Sequence, residues 1–394
     1  MPARAQGGRA DGGEAASAGR FASRRAVFVG HDIYRQAAYG RLHPLAIPRV
    51  ESVIDLCRAL DWFGPADYVE SPRASESQLV AFHDPEYVAA LRAASASGSV
   101  DAATRTRFGI GTMENPIFPG LFERASTAVG GSIRAAELAL SGKVAFNPAG
   151  GTHHGRRARA AGFCYFNDPV FAVRTLTDGG AAPVLYVDLD AHHGDGVEEA
   201  FASDPRVHTL SIHEAGRWPH SGEVDDLGGG RAVNLPVPQG VHDAELDFLL
   251  DEVVLPLAER IAPEAVVITC GADALAGDPL TRMALSNAAL WDAIERVVAT
   301  ARHAVVLGGG GYNPWTLARY WSGIWARLSG RTVPSKLDHA ASAVLRRLSC
   351  DLIDDEDVDP AWLDTLADER TRDPVRASLV ALRDRVMPRL RVAA

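Results

Sequence analysis

Five acids and imidazoles follow an apolar run in Tyr186-Val187-Asp188-Leu189-Asp190-Ala191-His192-His193-Gly194-Asp195. In extended chain, side chains at i, i+2 and i+4 share a face, so Asp188, Asp190 and His192 can converge on one point. Two oxygen donors and an imidazole suit a borderline divalent cation, Zn²⁺ or Fe²⁺. With only three protein ligands a position stays open for water, which is the arrangement of a catalytic site. The plainer reading is a strand ending in a polar loop, where Asp and His cap the next helix.

Three further clusters bear on that choice. Asp273 follows an apolar run and is flanked by Gly271, Ala272 and Ala274, so it can approach a shared centre as the third ligand; a helix N-cap is its alternative. His153 and His154 follow Gly150-Gly151. Two adjacent imidazoles whose pKa values neighbouring carboxylates set apart suit proton transfer near neutral pH, with Asp188 and Asp195 as orienting partners. A surface loop with a chance His pair is the alternative. Gly308 to Gly311 precede Tyr312 but lack both the Gly-Lys-Ser/Thr ending and the Gly-x-Gly-x-x-Gly spacing, which argues against a nucleotide site. Glycine backbone can pass close to a substrate, and the Tyr312 hydroxyl can donate to an oxyanion, unless the ring is merely packed. The run Gly162-Phe163-Cys164-Tyr165-Phe166-Asn167-Asp168 offers aromatic walls, or simply core packing.

These clusters need elements to position them. Short β-rich runs at 26–29, 144–146, 184–187, 207–212, 265–269 and 304–307 alternate with helical patterns at 121–140, 169–177, 243–261 and 286–301. That βαβ rhythm predicts an α/β fold with a central, mostly parallel sheet flanked by helices. The four clusters then fall at carboxyl ends of strands, where parallel sheets collect ligands and catalytic groups. Residues 1–25, almost all Ala, Gly, Arg and Ser, read as a disordered tail. Residues 26–337 read as the catalytic domain, and 338–394 as a helical extension that contains an acidic stretch from Asp351 to Asp359 and then an Arg-studded helical pattern.

Composition narrows the function. The 394 residues are 47% hydrophobic, ample for a core, and the net charge of −10 argues against nucleic acid and suits a cationic substrate. Cys57, Cys164, Cys270 and Cys350 form no Cys-x-x-Cys pair, so reduced thiols in a cytoplasmic protein are expected. No apolar run approaches the roughly 20 residues that span a bilayer, so no membrane association is expected. Nothing in the sequence fixes an oligomeric state.

Taken together, His153-His154, Gly162-Phe163-Cys164-Tyr165, Asp188 to Asp195, Gly271-Ala272-Asp273 with Asp278-Pro279, and Gly308 to Tyr312 closely resemble the histone deacetylase superfamily. Within it, His43 to Arg49, Asn147 to Gly151 and Ser329-Gly330-Arg331 look most like the bacterial acetoin-utilisation deacetylases. Thr152, in place of a more usual apolar residue, and Gly155, in place of Ala, are small departures that bear on pocket shape. The resemblance implies an arginase/deacetylase-type domain with Zn²⁺, or Fe²⁺, on Asp190, His192 and Asp273. It further implies His154 as general base, His153 as its electrostatic or acid partner, Asp188 and Asp195 as orienting groups, and Tyr312 as clamp on the scissile carbonyl. By the same likeness Gly162, Phe163, Trp218 and Leu280 line the substrate tunnel, Arg49 belongs to an internal acetate channel, and Asp188 and Ser211 hold K⁺. The implied reaction is hydrolysis of an acetyl-lysine amide, on a protein, with an acetylpolyamine as the nearest alternative substrate and a binuclear manganese ureohydrolase as a more distant reading.

Overall fold

The computed structural model describes residues 24–36 and 38–392. Eight strands form one sheet: β1 (Ala26–Gly30), β2 (Tyr68–Glu70), β3 (Val144–Asn147), β4 (Val184–Asp188), β5 (Val207–Glu214), β6 (Ala232–Val237), β7 (Ala265–Thr269) and β8 (His303–Leu307). Their order is β2-β1-β3-β8-β7-β4-β5-β6, and every pairing is parallel. Continuously apolar strands fit a sheet covered on both faces. On one face Phe28, Val187, Ile268 and Val306 pack with residues of the helices Val50–Ala59, Asn287–Val298 and Pro314–Leu328. On the other, Val27, Tyr186, Val267 and Val305 meet the helices Leu121–Leu140, Asp168–Asp178 and Asp195–Phe201. The strand order carries the functional consequence. β3, β8, β7 and β4 are consecutive in the sheet, so the four polar clusters emerge side by side from its centre.

Several expectations are adjusted by these elements. The helix read over 243–261 is helical throughout but contains a π turn, Leu250–Val254, just ahead of Pro256, which has no N–H to donate. β2 and β6 were not anticipated. Of the predicted tail, residues 1–23 lie outside the described residues, whereas Arg24 and Arg25 are tied to the domain: Arg24 donates to the carbonyls of Val298, Ala301 and Arg302, and Arg25 pairs with Asp67. The segment after Leu337 shares the main core through Leu345, Leu366 and Leu379, and Arg376 pairs with the buried carboxylate of Glu245. No helix among the described residues is long and apolar enough to cross a membrane.

Candidate active site

β4 ends at Asp188, and the loop beyond it carries Asp190 and His192. Convergence of Asp188 with these two along one extended face is therefore not what forms the site. Asp188 instead lies behind them: Oδ1 accepts the Asp190 N–H at 3.1 Å, and Oδ2 accepts the Tyr186 hydroxyl at 2.6 Å and faces His153 Nδ1 at 2.7 Å. The group that converges is Asp190, His192 and Asp273, all buried, with one ligand atom from each within 4.8 Å of the others. Asp273 sits in the short helix Ala272–Ala274, where Gly271 is the N-cap, so the capping alternative does not hold. Its Oδ1 accepts the Ala191 N–H at 3.1 Å, and its Oδ2 is 2.9 Å from His192 Nδ1.

The electrostatics of this trio fit a divalent cation. Burial, and then the charge of Asp190, push Asp273 up to about 6, the response of two carboxylates sharing a dry site. His192 is pushed up to about 10: burial opposes its charge, but the hydrogen bonds with Asp190 and Asp273 outweigh that. A carboxylate pair that draws in positive charge, joined by an imidazole, is the donor set of a borderline metal. Two of the glycines after β8, Gly309 and Gly310, pack directly against this trio. A Cβ on Gly310 would lie 2.1 Å from Asp273 Oδ2 and 3.0 Å from Asp190 Oδ2, and the Gly310 N–H donates to Asp190.

His153 and His154 stand beside the trio, their rings 3.9 Å apart. His154 Nδ1 is 2.8 Å from Asp195 Oδ1, and Arg156 pairs with the other oxygen of that carboxylate. Burial disfavours either cation, yet Asp188 and Asp190 push His153 up to about 9. For His154, burial and the neighbouring charge of His153 prevail over Asp195 and pull it down to about 3. Neighbouring charges thus shift two adjacent imidazoles in opposite directions. An open pocket reaches His154, lined by Glu114, His154, Gly162, Phe163, His192, Arg217, Trp218, Leu280 and Tyr312. Trp218 stands edge-on to His154 at 4.6 Å, and Phe163 faces Tyr312 at 6.0 Å.

Residues 43–328 match the family model described as the histone deacetylase domain. The chain belongs to the histone deacetylase family. It is 35% identical over 322 residues to the acetoin utilization protein AcuC of Bacillus subtilis, covering 78% of this chain and 83% of that protein. Histone deacetylase 8 of Xenopus tropicalis is 34% identical over 303 residues, 74% of this chain and 82% of the relative. A solved histone deacetylase homologue from Aquifex aeolicus superposes with a TM-score of 0.88 at 35% identity, over 92% of this chain and all of that one. A homologue complexed with SAHA gives the same TM-score at 36% identity, over 92% of this chain and 100% of that chain. The chain is accordingly an amidohydrolase of the deacetylase type, in a metal-dependent family, on the expected α/β fold.

In this family member Gly162, Phe163, Trp218 and Leu280 do share one pocket with His154, His192 and Tyr312. Tyr165 and Phe166 do not: they pack in an apolar cluster with Tyr87 and Phe122 and border a different cavity, deeper in the molecule. Ser211 is in register with Asp188 across β5 and β4, and its hydroxyl is 2.9 Å from His213 Nδ1. Arg49 lines the inner end of the catalytic space, donates to the Gly309 carbonyl, and lies over Trp321 at 5.1 Å. The sequence reading missed Glu114 and Arg217. Glu114 arrives from a loop 48 residues before Gly162, whose N–H it accepts at 2.8 Å, and no local pattern marks it. Arg217 adjoins Trp218 and donates to the Leu280 carbonyl, so its neighbour was the available signal.

Proposed function

We propose that this enzyme hydrolyses the acetyl-lysine amide on a protein substrate, with Zn²⁺ at Asp190, His192 and Asp273. The observation that carries the reading is one pocket wall shared by a metal ligand (His192), a neutral imidazole (His154) and a phenol (Tyr312). A divalent cation in that site supplies Lewis acidity toward the amide carbonyl and acidifies water. His154 is neutral, and with Nδ1–H given to Asp195 its Nε2 lone pair can accept a proton from the attacking water. His153 stays cationic against Asp188 and provides positive charge, and an acid, beside the reacting carbon. Tyr312, whose pKa is raised well above 10 by burial and by Asp273, keeps its proton and donates it to the carbonyl oxygen in a hydrogen bond. Phe163, Trp218 and Leu280 sheathe the lysine stem. Arg49 is assigned to the departing acetate, and Asp188 with Ser211 to K⁺. Four unpaired cysteines support a reducing compartment, the cytoplasm.

Glu114 on the pocket wall favours a second reading, an acetylpolyamine amidohydrolase, because a carboxylate there suits a cationic amine. Turnover of acetyl-lysine peptides against acetylspermidine by metal-loaded protein separates the two. The same assay tests the metal site. Asp190→Ala, His192→Ala and Asp273→Ala should each abolish turnover and lower bound metal, since a three-ligand site losing one donor loses most of its affinity. Full activity with stoichiometric metal in any of them would remove that residue from the ligand set.

A further inference from the structure

The catalytic space continues inward past Tyr312. Leu45, Arg49, Thr152, Phe163 and Gly309 line both the region around Asp190 and His192 and a second, inner cavity of about 100 Å³. Thr152, at the junction, folds its short side chain back onto Asp168 and the Phe166 carbonyl, so no bulky group is projected from that position.

The chemistry of the inner cavity is one-sided. Two guanidinium groups, Arg49 and Arg124, line it, and none of its described lining residues is a carboxylate. Arg49 spends one nitrogen on the Gly309 carbonyl, and its Nε has no acceptor among the described residues. The Tyr34 hydroxyl, on the same wall and in a residue only 4% exposed, has none either. Arg124 lies over the Tyr34 ring at 4.8 Å, with one nitrogen directed to the carbonyls of Ile33 and Gln36. Glu51, whose charge acts on both arginines, uses its Oε2 on the Arg49 backbone N–H and is not part of the wall. Buried donors left unmade are costly, and a guanidinium fork is matched by a carboxylate.

We propose that this cavity takes the distal carboxylate of a dicarboxylic acyl group, so that succinyl-lysine is a substrate alongside acetyl-lysine. The proposal rests on the acyl-lysine hydrolase reading and extends it to the acyl class. The reaction needs no further reagent. The water oxygen bonds to the acyl carbon, the C–N bond breaks, and both water protons end on the leaving nitrogen as an ammonium while succinate departs as the dianion.

The test uses metal-loaded full-length protein and three peptides bearing acetyl-, succinyl- or succinamoyl-lysine, the last being the neutral counterpart of succinyl at equal length. The expected kcat/KM for succinyl exceeds that for succinamoyl by at least about tenfold, the value of one good charge-assisted contact. Arg124→Gln should lower the succinyl-to-acetyl ratio of kcat/KM by a similar factor. Acetyl turnover with no preference for succinyl over its neutral counterpart overturns the proposal and leaves the deacetylase reading standing. Inhibition by free acetate without succinyl turnover also overturns it, assigning the arginines to the departing product alone. Turnover of none of the three peptides would sink the hydrolase reading first. The wild-type comparison decides even if Arg124→Gln does not fold.

Discussion

His153 and His154 show how far residue type underdetermines chemistry. Their spacing from the glycine turn is nearly the same, yet one ring faces Asp188 and the other Asp195 beside Arg156, and their ionisation is driven apart. A neutral base is active only while unprotonated, so activity should fall as pH drops. His154→Ala is expected to lower kcat/KM by at least about 100-fold, at the low end for a lost general base, and to remove that acidic limb while bound metal stays normal. His153→Ala should cost less and keep the limb, whose midpoint belongs to the coupled pair. If the limb disappears in the His153 variant and survives in the other, the two roles exchange. Tyr312→Phe removes one hydroxyl, so kcat should fall about 100- to 1,000-fold, as for other oxyanion donors, with KM little changed. A change confined to KM would reduce Tyr312 to a substrate contact.

Elements supply what single residues cannot, namely a common edge. Gly310 illustrates the tolerance of that edge: at 2.1 Å from Asp273 Oδ2, an added Cβ must displace a carboxylate of the proposed metal site. Gly310→Ala should therefore lose bound metal and turnover together while circular dichroism keeps its helix and strand signal. Normal metal content in that variant would show that the loop moves instead. Much of this level was legible in the chain. The six predicted strands and the helix Leu121–Leu140 were readable because both sheet faces are covered and their runs are strongly apolar. β2 was not, being three residues long and nowhere fully buried. β6 includes Pro236 and follows Gly228-Gly229-Gly230, signals that ordinarily mark a loop; it is an edge strand, where proline is tolerated. The loop-borne convergence of Asp190 and His192, and the adjacency of β3, β8, β7 and β4, depend on sheet order. Motif order along the chain does not encode which strands become neighbours.

At the scale of the whole molecule, distant segments are tied to the catalytic loops through buried polar groups, and His83 is the clearest case. It is fully buried; Nδ1 faces the carbonyls of Arg156 and Arg157, and Nε2 accepts the Asn167 N–H at 3.1 Å. Asn167 in turn holds the carbonyls of His153 and Gly155 through its side-chain amide. This network requires a neutral imidazole, since Nε2 must keep its lone pair to accept. Burial pulls the His83 pKa from 6.5 down to about 4. The sign of the linkage follows. Above pH 6.5 the ring is neutral in both folded and unfolded chains and its contribution is fully present. As pH falls from 6.5 toward 4 the unfolded chain takes up the proton first, and folding stability declines by about 3 kcal/mol before levelling off. Other groups titrate over the same range, so the decisive quantity is a difference between proteins. Urea unfolding of wild type and His83→Asn at several pH values between 7 and 4 should give a less stable variant at pH 7 with a visibly shallower decline. Parallel declines in the two proteins would mean that His83 is not the group through which acid loosens the contact between the first third of the chain and the catalytic loops.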